Sequence, residues 1–227
     1  ANYLFKIAGE GWLASAQYEF ARSQESLGEG ELLTVSIKGK PITIRSITDL
    51  SRAHKKEAFY WMRSAAMQSN VDAILSLGYY YEKGIGTDIE LENATRLYKL
   101  ASELGNYQGS YNYGYMLING YGVERDYVEA MNQFLLADKN NHISSANQIG
   151  LLYENGHGVE KDYGEALTWF TKAANNDYKY AFYNLGRFYE YGLGVKEDKK
   201  HALKWYKKAA VKGHIESKEK IKLLDKN

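Results

Sequence analysis

The chain has 227 residues, of which 44% are hydrophobic and 25% are charged, a balance typical of a globular protein. It contains no cysteine, which excludes a disulfide framework, a thiolate metal site and a cysteine nucleophile. The net charge is only +1 and no apolar run approaches the ~20 residues that span a bilayer, so we expect neither a nucleic-acid partner nor an integral membrane segment.

The N-terminal part of the chain predicts a pair of helices with an insertion between them. Residues 1–15 predict the second helix of a partial repeat, with Leu4 and Phe5 in its bulky positions. A first full repeat is predicted over 16–72, and its second helix resumes near Glu57. The separation of its helices exceeds that of the later repeats by about 21 residues, which indicates an insertion in the loop.

The insertion, at about 28–49, predicts a short β-hairpin. Residues 34–38 and 42–45 alternate apolar and polar side chains, and residues 39–41 separate the two runs. A lone hairpin is marginal in water, so this one packs either on the groove of its own repeat or on a partner. The side chains expected to make that contact are Val35, Ile37, Ile42 and Ile44.

Four regular repeats follow at a period of 36 residues, over 73–108, 109–144, 145–180 and 181–216. Repeat positions are numbered from Ala73, Gly109, Ser145 and Ala181, which all occupy position 1. Positions 1, 5 and 9 are mostly apolar and share one face of a first helix, named helix A. Glycine at position 6 is expected to admit a neighbouring helix, and glycines at positions 12 and 14 to end helix A.

The second half of each repeat predicts another helix, named helix B. An acidic residue at position 18 is expected to cap its N-terminus: Glu90, Asp126, Asp162 and Asp198. Large residues at positions 25 and 26 alternate with small ones at 29 and 30, which predicts an interlocking buried face. Residues 217–227 continue the pattern with several lysines, which predicts a C-terminal capping helix.

The last regular repeat carries a family resemblance. Its first helix and turn, AFYNLGRFYEYGLGV over 181–195, followed by Asp198, Ala202 and Trp205, resemble the Sel-1-like repeat, a relative of the tetratricopeptide repeat. The resemblance extends over about residues 51–216. It implies an all-α fold, a right-handed α-α superhelix (solenoid) of about five to six repeats, here with the short hairpin inserted. It also implies a non-catalytic adaptor, and some bacterial members resemble immunity proteins that neutralise type VI secretion effectors.

The resemblance also suggests where a partner would bind, because helices A line the concave surface of tetratricopeptide-like superhelices. Positions 4, 7 and 11 point away from the predicted core and carry amide and aromatic side chains, which suit an extended peptide. Asparagines at position 4 have an alternative role, which is to hydrogen-bond a neighbouring turn. The predicted contacts are Ser76, Asn112, Gln148 and Asn184 at position 4, Tyr79, Tyr115, Leu151 and Arg187 at position 7, and Lys83, Asn119, Asn155 and Tyr191 at position 11.

The sequence offers little chemistry. It has no phosphate-binding loop, no Gly-x-Ser-x-Gly elbow and no His-Glu-x-x-His helix, and its five histidines show no ligand spacing. We therefore expect no catalysis, no cofactor and no metal, and a monomer in the bacterial cytoplasm or periplasm. Three functions stay open: an adaptor for a peptide or folded protein, a bacterial immunity protein with the hairpin as an arm, and a glycan or small-molecule module.

Overall fold

The computed structural model describes residues 17–19, 21–22, 35–37, 40–42 and 47–225. The chain divides into two compact units. Unit 1 comprises the residues up to Gly109 together with Tyr121–Val123, and unit 2 comprises Ser110–Gly120 and the residues from Glu124 onward.

Unit 1 contains two strands and three complete helices. The strands are β1 (Val35–Ile37) and β2 (Lys40–Ile42), and the helices are α1 (Ile47–Met67), α2 (Val71–Lys83) and α3 (Leu91–Glu103). Helix α2 packs against both α1 and α3. Residues 17–19 and 21–22 are also helical, and Ala21 is fully buried in the same apolar cluster as Ala58 and Ala73.

Unit 2 contains three helix pairs and a final helix. Helix α4 (Tyr107–Asn119) begins in unit 1 and continues in unit 2 from Ser110. It is followed by α5 (Tyr127–Lys139), α6 (Ser145–Asn155), α7 (Tyr163–Asn175), α8 (Lys179–Tyr191), α9 (Lys199–Val211) and α10 (Ile215–Leu224). Helices α5 to α9 each pack against the next helix along the chain, up to α10.

The inserted segment differs in its bounds from the prediction. Strands β1 and β2 pair antiparallel with Val35 opposite Ile42, and Pro41 lies inside β2 rather than in the turn. A two-stranded sheet has only edge strands, where proline is tolerated. Of the predicted hairpin contacts, Ile44 lies outside the described residues.

The sequence had predicted that the insertion extends to about residue 49, but helix α1 begins at Ile47. Residues 47–49 therefore belong to the helix. It has 21 residues, whereas α3, α5, α7 and α9 have 13 each. Position 18 of this repeat is His54 instead of an acidic cap, and residues 47–54 contain no glycine or proline. Nothing therefore ends the helix at the usual N-cap position, and it continues toward the N-terminus.

The glycines at position 6 confirm the predicted close approach of helices A and B. A Cβ atom at Gly150 would lie 2.7 Å from the ring of Phe170, and one at Gly186 would lie 2.5 Å from the ring of Tyr206. Both rings, at position 26, are fully buried. The aromatic ring of each helix B therefore occupies the space that any larger residue at position 6 would need.

The glycines at position 14 join each repeat to the one before it. A Cβ atom at Gly86 would lie 2.1 Å from the carbonyl oxygen of Lys55, and one at Gly158 would lie 2.7 Å from the backbone of Tyr127. Both glycines also have a backbone φ of 71°, which residues other than glycine rarely adopt. The turn between helices A and B thus rests directly on the backbone of the preceding helix B, at its first turn for Tyr127 and further along α1 for Lys55.

The predicted caps of helix B are present in unit 2. The side chains of Asp126, Asp162 and Asp198 each accept a hydrogen bond from the backbone N–H three residues later. Glu90 occupies the N-cap of α3 but makes no such bond, because its longer side chain instead accepts one from Asn93.

The buried face of helix A differs from the predicted one. Position 8 is buried in every regular repeat, through Tyr80, Met116, Leu152 and Phe188, whereas the tyrosines at position 9 are only half-buried. Residues at i, i+4 and i+7 share a helix face, so positions 1, 5 and 8 form the stripe. Position 2 is buried as well, and α2, α6 and α8 each pack between two helices B.

Candidate partner-binding surface

Most of the predicted contact residues lie on the solvent-facing side of the A helices, which we name the outer face. In unit 2, Tyr115 is 40% exposed and Tyr191 is 56% exposed, and Asn155 is exposed beside half-buried Leu151. Asn112, Asn119 and Gln148 are half-buried. In unit 1, Tyr79 and Lys83 are exposed and Ser76 is half-buried. The aromatic side chains at position 7 therefore reach solvent, and the amides lie deeper between them.

A group of tyrosines forms the centre of this surface in unit 2. The hydroxyl of Tyr111 is hydrogen-bonded to the side chains of Gln148 and Ser144, and Tyr178 is hydrogen-bonded to the same serine. The ring of Tyr180 lies 5.4 Å from that of Tyr178, centroid to centroid. We name Tyr111, Tyr115, Tyr178 and Tyr180 the tyrosine cluster.

The tyrosine cluster is neutral and held in place. Burial raises the pKa of Tyr111 and the pKa of Tyr178, so both phenols stay protonated at physiological pH. The ring of Tyr111 also packs at 4.3 Å from the imidazole of His142. Tyr180 is 45% exposed, so it offers ring surface beside these ordered neighbours.

The helices that carry most of this surface are almost free of charge. All thirteen residues of α4 are uncharged, and Glu154 is the one ionic residue within the sequence of α6. Its side chain is buried and paired with Arg187, so it does not present a charge to solvent. The outer face of α4 and α6 therefore offers aromatic, amide and aliphatic groups without an exposed charge.

A second polar group links α6 to α8 in unit 2. Arg187 donates from Nη2 to Oε1 of Glu154 at 2.6 Å and from Nη1 to Oε2 at 3.4 Å. Asn184 donates to Asn147 at 2.9 Å, and its own oxygen accepts from Arg187 at 3.3 Å. We name these four residues the inter-repeat network.

Asn184 and Arg187 were predicted to contact a partner, and the structure places both in this network. Asn184 is only 6% exposed. Burial works to lower the pKa of Arg187, but the hydrogen bond and charge of Glu154 more than offset it, so the pKa is raised. Since both side chains already bond the preceding repeat, a further contact with a partner through them stays a prediction.

Tyr191 has a similar double position at the end of α8. Its hydroxyl accepts a hydrogen bond from Lys220 of α10 at 2.6 Å, while its ring stays exposed. Lys220 also bonds Glu190. Burial opposes ionisation of Glu190, but hydrogen bonds from Tyr206 and Lys220 keep its pKa below the ordinary value.

Sequence reasoning missed three members of the tyrosine cluster. Tyr111, Tyr178 and Tyr180 occupy positions 3, 34 and 36, outside the columns chosen for the outer face. Tyr111 could have been found from its spacing to Tyr115, because residues four apart share a helix face. Tyr178 precedes helix α8 and Tyr180 lies in its first turn. Repeat periodicity does not predict the direction of side chains there.

A comparison with protein families decides the identity of the repeats. Residues 51–70, 71–106, 108–132, 143–178 and 180–214 match the model of the Sel1 repeat. The chain belongs to the Sel1 repeat family. The predicted all-α fold class is thereby confirmed, and Sel1 repeat proteins are typically protein-interaction scaffolds that are generally non-catalytic.

The chain is similar in fold to several solved structures and in sequence to part of a yeast protein. The chain is similar to a Sel1 repeat protein from Oxalobacter formigenes, with a TM-score of 0.76 and 24% identity, covering 92% of this chain and 74% of that one. An immunity protein from Pseudomonas aeruginosa has a TM-score of 0.52 and 20% identity, with 90% of this chain and 66% of that one covered. The Saccharomyces cerevisiae protein "Activator of C kinase protein 1" is 29% identical over 79 residues, 30% of this chain. This chain spans only 13% of that yeast protein.

The described part of this Sel1 repeat chain adds two observations. Within it, no helix combines the length and the hydropathy that crossing a membrane requires. Across the same residues, histidine and acidic side chains do not gather in groups of three or more that could hold a metal ion.

Proposed function

We propose that the chain is a non-catalytic binding module that holds a partner protein on the tyrosine cluster and the flanking amides of unit 2. The observation that carries this proposal is the composition of the outer face of α4 and α6. That face presents the exposed ring of Tyr115 beside hydrogen-bonded Tyr111 and amide groups, and α4 and α6 add no exposed charge. The adjoining ring of Tyr180 has the ammonium group of Lys179 at 5.1 Å from its centroid.

The physical chemistry of this face favours a peptide-like ligand. Tyrosine rings that are already ordered give contact area at a small cost in rotamer entropy. The amides of Asn112 and Gln148 both donate and accept, so they can pair with the backbone of an extended segment. Because the face is neutral, binding here should depend only weakly on ionic strength.

Site-specific photocrosslinking tests the location of the site. A photoreactive phenylalanine analogue replaces Tyr115 or Tyr180 in unit 2, and a matched control replaces Tyr60 of α1, which is 63% exposed. We expect the same partner to crosslink at residues 115 and 180, and not at residue 60, in lysate of the source cells. Crosslinking that is equal at all three residues, or strongest at residue 60, would contradict the proposal.

The strength of the site is tested with the partner so identified. The Tyr115→Ala and Tyr180→Ala double variant should weaken binding by about tenfold to hundredfold, since central aromatic residues dominate interface energies. Tyr60→Ala should leave the affinity unchanged. An interface of many charges loses affinity steeply as salt rises. If the affinity fell about tenfold between about 50 and 200 mM salt, the neutral face would not be the binding surface.

The likeness in fold to Pseudomonas immunity proteins supports a second candidate function, neutralisation of a toxic effector. A module in this role must hold one toxin at about nanomolar affinity or tighter, because any free fraction is lethal. The test is growth of cells that produce the crosslinked partner, with and without this chain. Rescue by the wild type but not by the Tyr115→Ala and Tyr180→Ala variant would favour immunity, and a partner without toxicity would favour an adaptor.

A further inference from the structure

A separate cavity lies in unit 1, between helices α1 and α3 and above α2. Its volume is about 410 Å³, within the range of ligand pockets in proteins. The apolar side chains that line it come from all three helices: Met67, Ile74, Leu77, Tyr81, Leu97 and Leu100. The cavity is thus an apolar recess between two helices B, with helix A as its floor.

The cavity exists because two repeat positions carry small side chains. Position 2 is Ile74 and position 25 is Leu97 in this repeat. In the last regular repeat the same positions are Phe182 and Trp205, whose rings stack with centroids 5.9 Å apart. Isoleucine and leucine fill much less of the space between the helices than two aromatic rings, so unit 1 keeps a recess there.

Two arginines stand at the edge of this recess. Arg63 comes from α1 and Arg96 from α3. Arg96 bonds Glu92 at 2.5 Å, but both side chains are about two-thirds exposed, so that pair contributes little and can exchange partners. For Arg63, the structure records no carboxylate within 4.0 Å among the residues that it describes.

From the apolar lining and its cationic edge we infer that this cavity binds a small carboxylic acid with an apolar body. The apolar part lies against Leu77 and Leu97, and the carboxylate pairs with the guanidinium of Arg63. Burial of an alkyl chain supplies about 0.8 kcal/mol per methylene, so the tail provides most of the affinity and the arginine selects the charge. Met67, 78% exposed, has an unbranched side chain that can adapt to such a tail.

The test is a titration of the full chain with decanoate, followed by NMR of methyl-labelled methionine. The chain has four methionines, and Met67 lines the cavity. The other three, Met62, Met116 and Met131, are buried elsewhere and serve as internal controls. We expect a saturable shift of the Met67 methyl alone, with its signal assigned from a Met67→Leu variant.

The decisive variant fills the cavity without disturbing the fold. Leu97→Trp places at position 25 the residue found there as Trp61, Trp169 and Trp205, so the thermal unfolding midpoint should hold. Decanoate binding should weaken about tenfold or more, because the space for its tail is lost. Ile74→Phe, which copies Phe182, gives a second filling variant whose effect should be the same.

The charge preference is tested separately. Arg63→Gln should weaken decanoate binding about threefold, because it removes an attraction for the carboxylate. It should not weaken decyltrimethylammonium binding, because for that head group it removes a repulsion. A Met67 methyl that does not move at millimolar decanoate would overturn the inference. So would equal shifts of all four methyls, an unchanged affinity in both filling variants, or tighter binding of decyltrimethylammonium than of decanoate.

Discussion

A single residue in each loop between helix B and the next helix A has a positive φ, and its identity varies along the chain. At position 33 this residue is Gly105 or Gly213, each with φ of 85°. In the other loops it is Ser69, Asn141 or Asp177, with φ of 61° to 64°. Residues with a Cβ atom adopt this region at a cost of about 1 kcal/mol or more, so these loops retain local strain.

Ser69→Gly should therefore stabilise the protein. We expect the free energy of unfolding to rise by about 0.5 to 1 kcal/mol, the relief of strain being partly offset by the freedom of glycine in the unfolded chain. Gly105→Ser is the reverse control, because its Cβ atom would meet nothing within 4 Å. Any decrease in its free energy of unfolding would therefore come from the positive φ alone. Urea unfolding measures both, and a Ser69→Gly variant less stable than wild type would refute the argument.

At the scale of the helix, the residue before helix A sets how its N-terminus is held. In unit 1, Asn70 accepts from the backbone N–H of Ala73, and Asn106 from that of Gly109, both at 2.8 Å. In unit 2 the same position is His142, whose Nδ1 lies 2.9 Å from the hydroxyl of Ser145. Burial lowers the pKa of His142, so the imidazole is held neutral in the folded protein.

This difference makes stability depend on pH. Because the pKa of His142 is lower in the folded than in the unfolded chain, the unfolded chain binds more protons below about pH 6.5. Protonation of His142 should not affect the free energy of unfolding above that pH. Below it, the free energy of unfolding should fall as the pH decreases from the unfolded pKa to the folded pKa of His142. His142→Asn should reduce this fall between pH 7 and 5, leaving the part due to His214, whose pKa burial also lowers.

Thermal unfolding at a series of pH values measures the effect of His142→Asn. The two proteins should agree closely at pH 8, where histidine is neutral in both states, and that agreement is the control. If the slope of stability against pH is the same for wild type and variant, His142 does not contribute to it.

At the scale of the whole molecule, a repeat protein is stabilised by contacts between neighbouring repeats. In unit 2 the inter-repeat network supplies such a contact between α6 and α8. Glu154 and Arg187 occupy positions 10 and 7, where other repeats have Ile118 and Leu151. The ion pair thus occupies positions where the preceding two repeats of this chain have apolar side chains.

Removing one partner of this ion pair should lower the free energy of unfolding more than replacing both partners by apolar residues. Arg187→Leu leaves Glu154 buried without its cation, and we expect a loss of about 2 to 3 kcal/mol in the free energy of unfolding. The double variant Glu154→Ile and Arg187→Leu should recover most of that loss. A double-mutant cycle from urea unfolding gives the coupling energy. Additive effects of the two substitutions would mean that the pair does not couple the repeats.

Much of this architecture follows from the sequence, because the repeat imposes strict columns. Gly150 and Gly186 at position 6 indicated close helix packing, and Asp126 and Asp162 indicated the start of helix B. These predictions held because they depend on local geometry, namely a missing Cβ atom and a short side chain that reaches its own backbone. Glu90 shows the limit, since one added methylene group removes the cap.

The candidate site was less predictable for a physical reason. Tyr115 is exposed and Gln148 half-buried on the A helices, as helical periodicity indicates, and their contact with a partner stays a prediction. Tyr111 and Tyr178 were missed because they belong to two different repeats and meet through hydrogen bonds to the same residue, Ser144. Contacts of this kind depend on how far one repeat is displaced along the next. The residue types at one repeat position do not indicate that displacement.

The sequence by itself determined the period, the order of helices and the family, since each rests on spacing that survives any change of packing. Only the tertiary structure decided which polar groups are already satisfied. It paired Arg187 with Glu154, and it bound the hydroxyl of Tyr206 to Glu190 within one helix pair. It also left a recess at Leu97 and filled the same place with Trp205. These outcomes depend on the summed volume and charge of side chains that meet across helices, so no single column of the repeat contains them.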